Sequence, residues 1–218
     1  MTQAERRRLQ RMHRFERQAW EDGAQLICGV DEVGRGPLAG PVTACAIIID
    51  RPLLLEHLND SKAVTPQRRE ALDLLIRERC VGIALGWAEA PEIDALNILE
   101  ATRLAMHRAI GALGVTPCRV FVDGLPLPDC ALPQQAIVGG DALSAAIAAA
   151  SVVAKVARDA RMTELDARYP GYGFAQHKGY GTADHLGAID LLGPCPEHRR
   201  SFAPVSRPTF SFVAAHRR

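Results

Sequence analysis

The stretch 31–36 carries the residues of this chain that could do chemistry, because two adjacent carboxylates are followed by an arginine between glycines. It reads Asp-Glu-Val-Gly-Arg-Gly and follows the short apolar run 26–30. Carboxylates attract metal ions, and glycines beside an arginine allow backbone and guanidinium to approach a phosphate or sugar closely. On these residues alone, a solvated turn beside glycine is the commoner interpretation.

Two further carboxylates follow short apolar runs, Asp123 after 119–122 and Asp141 after 136–138. Open sheets place their sites at the carboxyl ends of strands, so Asp31, Asp123 and Asp141 are expected to converge at one sheet edge. Four acidic oxygen donors, with Glu32, suit two hard divalent cations, Mg²⁺ or Mn²⁺, that act on a phosphodiester. Structural alternatives stay open for Asp123 as a turn residue and for Asp141 as a helix N-cap.

Asp31 and Glu32 raise a difficulty, since successive residues of a regular strand point to opposite faces. Both side chains can serve one site if the strand distorts at this point, which the following glycines would allow. Glu32 is therefore the carboxylate whose part in the site the sequence leaves most open.

The charge distribution is uneven although the net charge is +1. Residues 1–20 hold six arginines against two acids, and residues 177–218 hold six Lys or Arg against three acids. Basic ends around an acidic centre would fit a polyanion, but a solvated helix and a polar tail are the commoner explanation of such charge runs. Of the 26 basic residues three are lysines, Lys62, Lys155 and Lys178. We expect Lys62 and Lys178 to face the substrate.

Length and composition predict one compact domain, since 218 residues with 48% hydrophobic residues can bury a substantial core. The sequence contains no apolar run long enough for a membrane span, and its charged start does not resemble a signal peptide. These features predict a cytoplasmic protein. Six cysteines without a Cys-x-x-Cys pair are expected to be reduced.

Hydrophobic periodicity predicts an α/β fold, a mixed sheet of five strands with helices on both faces. Strands are expected at 26–30, 41–50, 81–87, 119–122 and 136–138. Helices are expected at 4–21, lying outside the main core, and at 65–80, 91–113, 142–168 and 182–192, with Leu96 and Leu99 among the buried positions of the third of these. The helix 142–168 is Ala-rich and should lie deep against the sheet.

Seven segments together resemble the bacterial ribonuclease HII family, the type 2 ribonucleases H. They are 31–36, 58–62, 122–124, 140–141, 149–159, 172–180 and 198–202, in order and at the family's spacing. The resemblance covers about residues 25–208 and implies a ribonuclease H-like fold with a helical C-terminal segment. Residues 1–24 would then form a charged helical extension, and 209–218 a C-terminal tail.

The resemblance assigns roles to individual residues. It implies that the metal ligands are Asp31, Glu32, Asp123 and Asp141. It implies that the ribose 2′-hydroxyl is contacted by Gly34, Arg35, Gly36 and the stacking Tyr180, which fits the 2′-hydroxyl as the group that distinguishes RNA from DNA. Ser61, Lys62 and Lys178 are the implied phosphate contacts. Gly139 departs from the family, which commonly has lysine there.

The implied activity is hydrolysis of the RNA strand of RNA/DNA hybrids and cutting 5′ of single ribonucleotides embedded in duplex DNA. Two divalent ions would act, leaving 3′-hydroxyl and 5′-phosphate ends, in the service of ribonucleotide removal from DNA. The alternatives are a ribonuclease HIII, which this chain resembles less, and a binding module for hybrids without catalysis. A monomer is expected, with the tail 209–218 as a possible weak contact for a protein partner.

Overall fold

The computed structural model of the chain describes residues 1–206. Its five strands are β1 (Ile27–Val33), β2 (Val42–Ile49), β3 (Gly82–Ala88), β4 (Arg119–Asp123) and β5 (Gln134–Ile137). Its helices are α1 (Gln3–Met12), α2 (Arg14–Glu21), α3 (Pro66–Arg79), α4 (Ala90–Leu96), α5 (Ile98–Gly111), α6 (Gly140–Leu143), α7 (Ala145–Arg168), α8 (Phe174–His177) and α9 (Ala183–Leu192). A 3-10 turn spans Ser61–Ala63.

The strands form one mixed sheet in the order β3-β2-β1-β4-β5, so the predicted α/β architecture is confirmed. β2 is antiparallel to both β1 and β3, whereas β4 is parallel to both β1 and β5. The carboxyl ends of β1, β4 and β5 therefore lie at the same edge of the sheet. This edge is where the predicted carboxylates must be sought.

Helices cover both faces of the sheet and divide the core into two layers. The Ala-rich first half of α7, from Ala145 to Ala154, is buried on one face, as its composition predicts. Gly29 of β1 permits this close approach, because a Cβ atom at this position would overlap the backbone of Ala146. α5 covers the opposite face and buries the other alternating residues of the strands.

The N-terminal segment departs from the prediction of one helix outside the core. His13 separates α1 from α2, and Leu9, Met12 and Ala19 are buried in the same layer as α7. These apolar residues recur at helical spacing among the arginines, so the segment is charged outward and apolar inward. The prediction that it stands outside the core is wrong.

Two other predicted helices are each interrupted at a capping residue. Asn97, with φ +76°, ends α4 and caps α5 by accepting hydrogen bonds from the amides of Leu99 and Glu100. The break changes which side of the segment faces inward, so Leu96 and Leu99 are 42% and 37% exposed, and the expectation that they are buried is wrong. Ser144 separates α6 from α7 in the same manner, and its side chain accepts a hydrogen bond from the Ile147 amide.

Within residues 1–206 no helix combines the length and apolar character needed to cross a bilayer. All six cysteines lie in this range and are free thiols, as expected. The tail 209–218, to which a protein contact was assigned, lies outside the described residues.

Candidate active site

Asp31 and Glu32 are the fifth and sixth of the seven residues of β1, and the strand stays regular there. Pairing with β2 runs one to one as far as Val33, so the expected distortion is absent. Asp31 is 4% exposed and lies on the α7 face, two residues beyond Gly29. Its Oδ1 accepts a hydrogen bond from the Glu32 amide at 2.7 Å. Glu32 lies beyond the pairing of β1 with β4, which stops at Val30, so it also stands at the carboxyl edge of the sheet.

Asp123 ends β4 beside Asp31. Val30 pairs with Val122, so one further step of this parallel register sets the two aspartates side by side. The Asp123 Oδ1 accepts a hydrogen bond from the Gly140 amide at 2.6 Å, which ties β4 to the start of α6. Asp141 lies in the first turn of α6, so it is not the helix N-cap; Gly139, with φ +66°, takes that position.

The carboxylates interact strongly with one another through their charges. Burial raises the pKa of Asp31 well above its usual range, and repulsion from Glu32 and Asp123 raises it further. Burial also raises the pKa of Glu32, where the attraction of Arg35 and the repulsion of Asp123 oppose each other. The pKa of Asp141 is raised by burial and by repulsion from Asp60 and Asp123. The four predicted carboxylates therefore share one region of negative potential.

This donor set fits a hard divalent cation in its chemistry. Within residues 1–206, Asp31, Asp123 and Asp141 form no ion pair with a protein cation, and Glu32 has a loose one with Arg35 at 3.4 Å. Uncompensated, partly buried carboxylates are costly unless a cation neutralises them. In their present positions, no three carboxylate, imidazole or thiol groups of the described chain are close enough together to hold an ion. A Mg²⁺ ion bound by fewer carboxylates would take its remaining ligands from water and phosphate oxygens, as is usual for this ion.

An open cleft of about 270 Å³ adjoins the carboxylates. Its lining consists of Glu32, Val33, Gly34, Arg35, Gly36, Ser61, Lys62, Lys155 and Tyr180. Ser61 is held by a 2.9 Å hydrogen bond from Ser151 of α7. Burial lowers the pKa of Lys62, but the attraction of Asp60, Asp141 and Asp31 outweighs it and the net shift is upward. The predicted position of Lys62 near the carboxylates is thus found.

Lys178 lies elsewhere. Its Nζ approaches the carbonyl of Asp159 and the hydroxyl of Thr163, both at 3.4 Å, and it lines a separate depression beside α3. The structure therefore does not bring Lys178 to the carboxylates, because its side chain points toward Asp159 and Thr163 of α7. Lys155 lines the cleft instead, with its Nζ 2.7 Å from the Asp159 carboxylate.

Two fully buried arginines hold the Gly-Arg-Gly loop and the segment 39–41 that follows it, a role that the sequence did not indicate. Arg199 donates hydrogen bonds of 2.6–3.0 Å to the carbonyls of Gly34, Arg35 and Gly40. Arg158 of α7 donates to the carbonyls of Ala39, Pro41 and Lys178. Gly34, with φ +92°, has no room for a side chain against Arg158. The loop is therefore rigid before any ligand arrives.

Tyr180 faces this loop across the cleft. Its ring is 45% exposed, and its Cε1 lies 3.6 Å from where a Cβ would stand at Gly36. The Tyr180 carbonyl is hydrogen-bonded by the His185 ring at 2.9 Å. An exposed aromatic ring at this place can stack on a sugar or base that enters between it and the loop.

A mixed five-stranded sheet flanked by helices is the fold of the ribonuclease H-like proteins. The ribonuclease H2 of Pyrococcus horikoshii superposes with a TM-score of 0.70 at 24% identity, over 84% of this chain and 96% of the other. Bst-RNase HIII in complex with Mn²⁺ superposes with a TM-score of 0.67 at 18% identity, over 86% and 70%. These likenesses establish the fold.

Sequence comparison gives the family. The ribonuclease HII family profile matches residues 28–205. The ribonuclease HII of Laribacter hongkongensis is 58% identical over 183 residues, 83% of this chain and 92% of the relative. That of Moorella thermoacetica is 52% identical over 198 residues, 91% and 96%. The chain belongs to the ribonuclease HII family and is a ribonuclease H, as the resemblance of its motifs predicts.

Proposed function

We propose that this protein cuts the RNA strand of RNA/DNA hybrids and cuts on the 5′ side of single ribonucleotides embedded in duplex DNA. The observation that supports this proposal most directly is that the sheet edge with the carboxylates and the rigid loop 34–36 border the same cleft. Reaction and recognition can then act on the same nucleotide. The biological role that would follow from this activity is removal of ribonucleotides from cellular DNA. We further propose that the protein acts in the cytoplasm and as a monomer.

Asp31, Glu32, Asp123 and Asp141 are proposed to hold two divalent ions, Mg²⁺ or Mn²⁺. Such ions, when bound, make water nucleophilic near neutral pH and stabilise the departing 3′-oxygen. Asp31 is the most buried of the four and is fixed by the Glu32 amide, so it orients the set. If water attacks the phosphorus and the 3′-oxygen of the upstream nucleotide departs, the phosphate stays on the downstream strand, so the products carry 3′-hydroxyl and 5′-phosphate ends.

Recognition of the ribose is assigned to Gly34, Arg35, Gly36 and Tyr180. Because Arg199 occupies the carbonyls of Gly34 and Arg35, the amides and the Arg35 guanidinium are the groups of this loop left to face a sugar. Tyr180 would close the other side of the sugar ring. A 2′-hydroxyl can both donate and accept hydrogen bonds, so its loss in DNA leaves these groups unpaired.

Ser61 and Lys62 are proposed as phosphate contacts at the same cleft. Lys62 is exposed and presents a compact charge beside the carboxylates, so it can hold a phosphate without competing for the cations.

The test is cleavage of a DNA duplex that contains one ribonucleotide, with Mg²⁺ or Mn²⁺, beside an all-DNA duplex of the same sequence. We expect one cut, 5′ of the ribonucleotide, and none in the all-DNA duplex. Asp31→Asn is the matched variant, since it keeps the shape of the side chain and removes its charge. Absence of the cut, or undiminished cutting by Asp31→Asn, would overturn the proposal. Tight binding of the hybrid without any cutting would instead support a binding module.

A further inference from the structure

A second concave surface lies beside the candidate active site, formed mainly by the N-terminal helices. We call it the N-terminal groove. It has a volume of about 430 Å³ and is lined by Arg8, Arg11, Met12, Arg14, Arg17, Asn59, Ala142 and Leu143. Four of these eight residues are arginines, and all four precede the part of the chain that matches the family profile. The family assignment therefore gives no role to this surface.

Three of the four arginines carry charge that no acidic side chain balances. Arg8 is tied to Glu5 by an ion pair of 2.7 Å and donates to the Leu58 carbonyl. Arg11, Arg14 and Arg17 are exposed, and among residues 1–206 none of them has a carboxylate within 4.0 Å. The groove thus presents a concentrated positive charge to an incoming ligand.

The groove lies close to the cleft, as two short segments of the chain show. Asn59 lines the groove, and Lys62, three residues later, lines the cleft, so their Cα atoms are at most about 11 Å apart. Ala142 lines the groove and directly follows the carboxylate residue Asp141. Phosphates of one strand follow each other every 3.4 Å along a duplex axis. A strand in the cleft therefore reaches the groove within a few nucleotides.

The helices that carry the arginines are held firmly in place. The Glu16 carboxylate of α2 is fully buried and accepts hydrogen bonds from the Ser144 hydroxyl and the Ala146 amide at the start of α7. His13 is hydrogen-bonded to the carbonyl of Leu9 and the amide of Leu53. The groove is therefore preformed, so little conformational entropy is lost when a ligand binds.

We propose that the N-terminal groove binds the phosphate backbone of the duplex that flanks the cleavage position. This inference rests on the proposed function for the identity of the ligand, a double-stranded nucleic acid. The arginines contact phosphates and so add affinity that does not depend on sequence, while the loop 34–36 and Tyr180 select the ribonucleotide. The N-terminal segment is thereby a part of the substrate-binding surface.

The experiment measures the salt dependence of binding to an all-DNA duplex at a fixed low Mg²⁺ concentration, by fluorescence anisotropy. The groove variant is Arg11→Gln with Arg17→Gln, since glutamine keeps helix propensity. The control removes two exposed arginines elsewhere, Arg79→Gln with Arg168→Gln. Arg168 ends the 24-residue helix α7, about 35 Å from the start of that helix.

We expect the slope of log K against log salt to become shallower by about 1.8 in the groove variant, from about 0.9 for each lost phosphate contact. The wild type would then lose about tenfold more affinity than the groove variant between 50 and 200 mM salt. The control variant should keep the wild-type slope, and Arg11→Lys with Arg17→Lys, which retains both charges, should keep most of it.

Equal slopes for the wild type and the groove variant would overturn the inference. So would binding of poly-glutamate that depends on the two arginines while duplex binding does not, because the groove would then serve an acidic polypeptide. Failure of the proposed function is a separate result. If the wild type cuts no ribonucleotide-containing duplex, the binding slopes still decide whether the groove contacts phosphate.

Discussion

Lowering the pH from about 7.5 to about 5 perturbs a chain of neutral histidines behind Tyr180. The Cys195 amide donates to His198 Nδ1 at 3.0 Å, so the proton of this ring is assigned to Nε2. His198 Nε2 then donates to His185 Nε2 at 3.1 Å, and His185 Nδ1 donates to the Tyr180 carbonyl at 2.9 Å. Each ring thus accepts a hydrogen bond at one nitrogen and donates one from the other. A further proton on either ring would set two N–H groups against each other.

The size of the effect follows from the pKa of His198. Burial, then the neighbouring His185, lowers this pKa from 6.5 to about 4. The unfolded chain takes up the proton near pH 6.5 and the folded chain near pH 4, so the unfolded state binds more protons between these values. The contribution of neutral His198 is complete above pH 6.5 and is lost as the pH falls toward 4. At pH 5 the loss amounts to about 2 kcal/mol.

The assay is urea unfolding of the wild type and of His198→Gln at both pH values. Carboxylates with raised pKa, Asp31 and Glu32 among them, gain stability as the pH falls, so the wild type alone does not isolate the histidine. The difference between the two proteins in the pH-dependent change of unfolding free energy isolates it. We expect the free energy of unfolding of the wild type to fall by about 2 kcal/mol more than that of the variant. Equal changes in both would refute the neutral histidine chain.

Three further predictions concern the framework of the site. Arg199→Lys replaces a planar guanidinium by an ammonium that cannot reach all three carbonyls. The free energy of unfolding in urea should therefore fall by about 3 kcal/mol or more, and a fall of less than about 1 kcal/mol would contradict the role of Arg199 in holding the loop. Gly29→Ala sets a methyl group into the backbone of Ala146, so we expect at least about 2 kcal/mol of destabilisation, and an unchanged melting temperature would disprove that contact. Asp31→Asn removes a repelled buried charge, so calorimetry without divalent ions should give a higher melting temperature than the wild type, and a lower one would contradict the raised pKa.

The fold could be predicted from the sequence because its elements have strong hydrophobic patterns. β2 is apolar except for Thr43 and buried throughout, and the Ala-rich run in α7 predicts close packing against the sheet. Two of the errors fall where a single residue caps a new helix by local hydrogen bonding. Asn97 and Ser144 each cap a new helix inside a run whose apolar pattern continues, so periodicity gives no sign of the break.

In the candidate site, features that depend on local sequence could be predicted, and features that depend on contacts between distant residues could not. The carboxylates could be placed because each follows an apolar strand, and strand ends are visible in the sequence. The role of Arg199 in holding the loop could not be predicted, because this residue donates hydrogen bonds to carbonyls about 160 residues earlier in the chain. Its neighbours in sequence do not indicate these partners. The position of Lys178 could not be predicted either, because the α7 groups that its Nζ contacts lie 15 and 19 residues earlier in the chain.

Buried charges of opposite sign meet at this site and are stabilised by different means. Burial lowers the pKa of Arg158 to about 10 and that of Arg199 to about 9, but every hydrogen bond of both side chains ends on a backbone carbonyl, so both remain charged near neutral pH. Asp31 has the Glu32 amide as its close partner and faces other carboxylates. The loop that is proposed to recognise the sugar is thus completed by folding itself, whereas the carboxylates stay uncompensated until a cation arrives. Removal of divalent ions should therefore stop cutting and leave the loop intact.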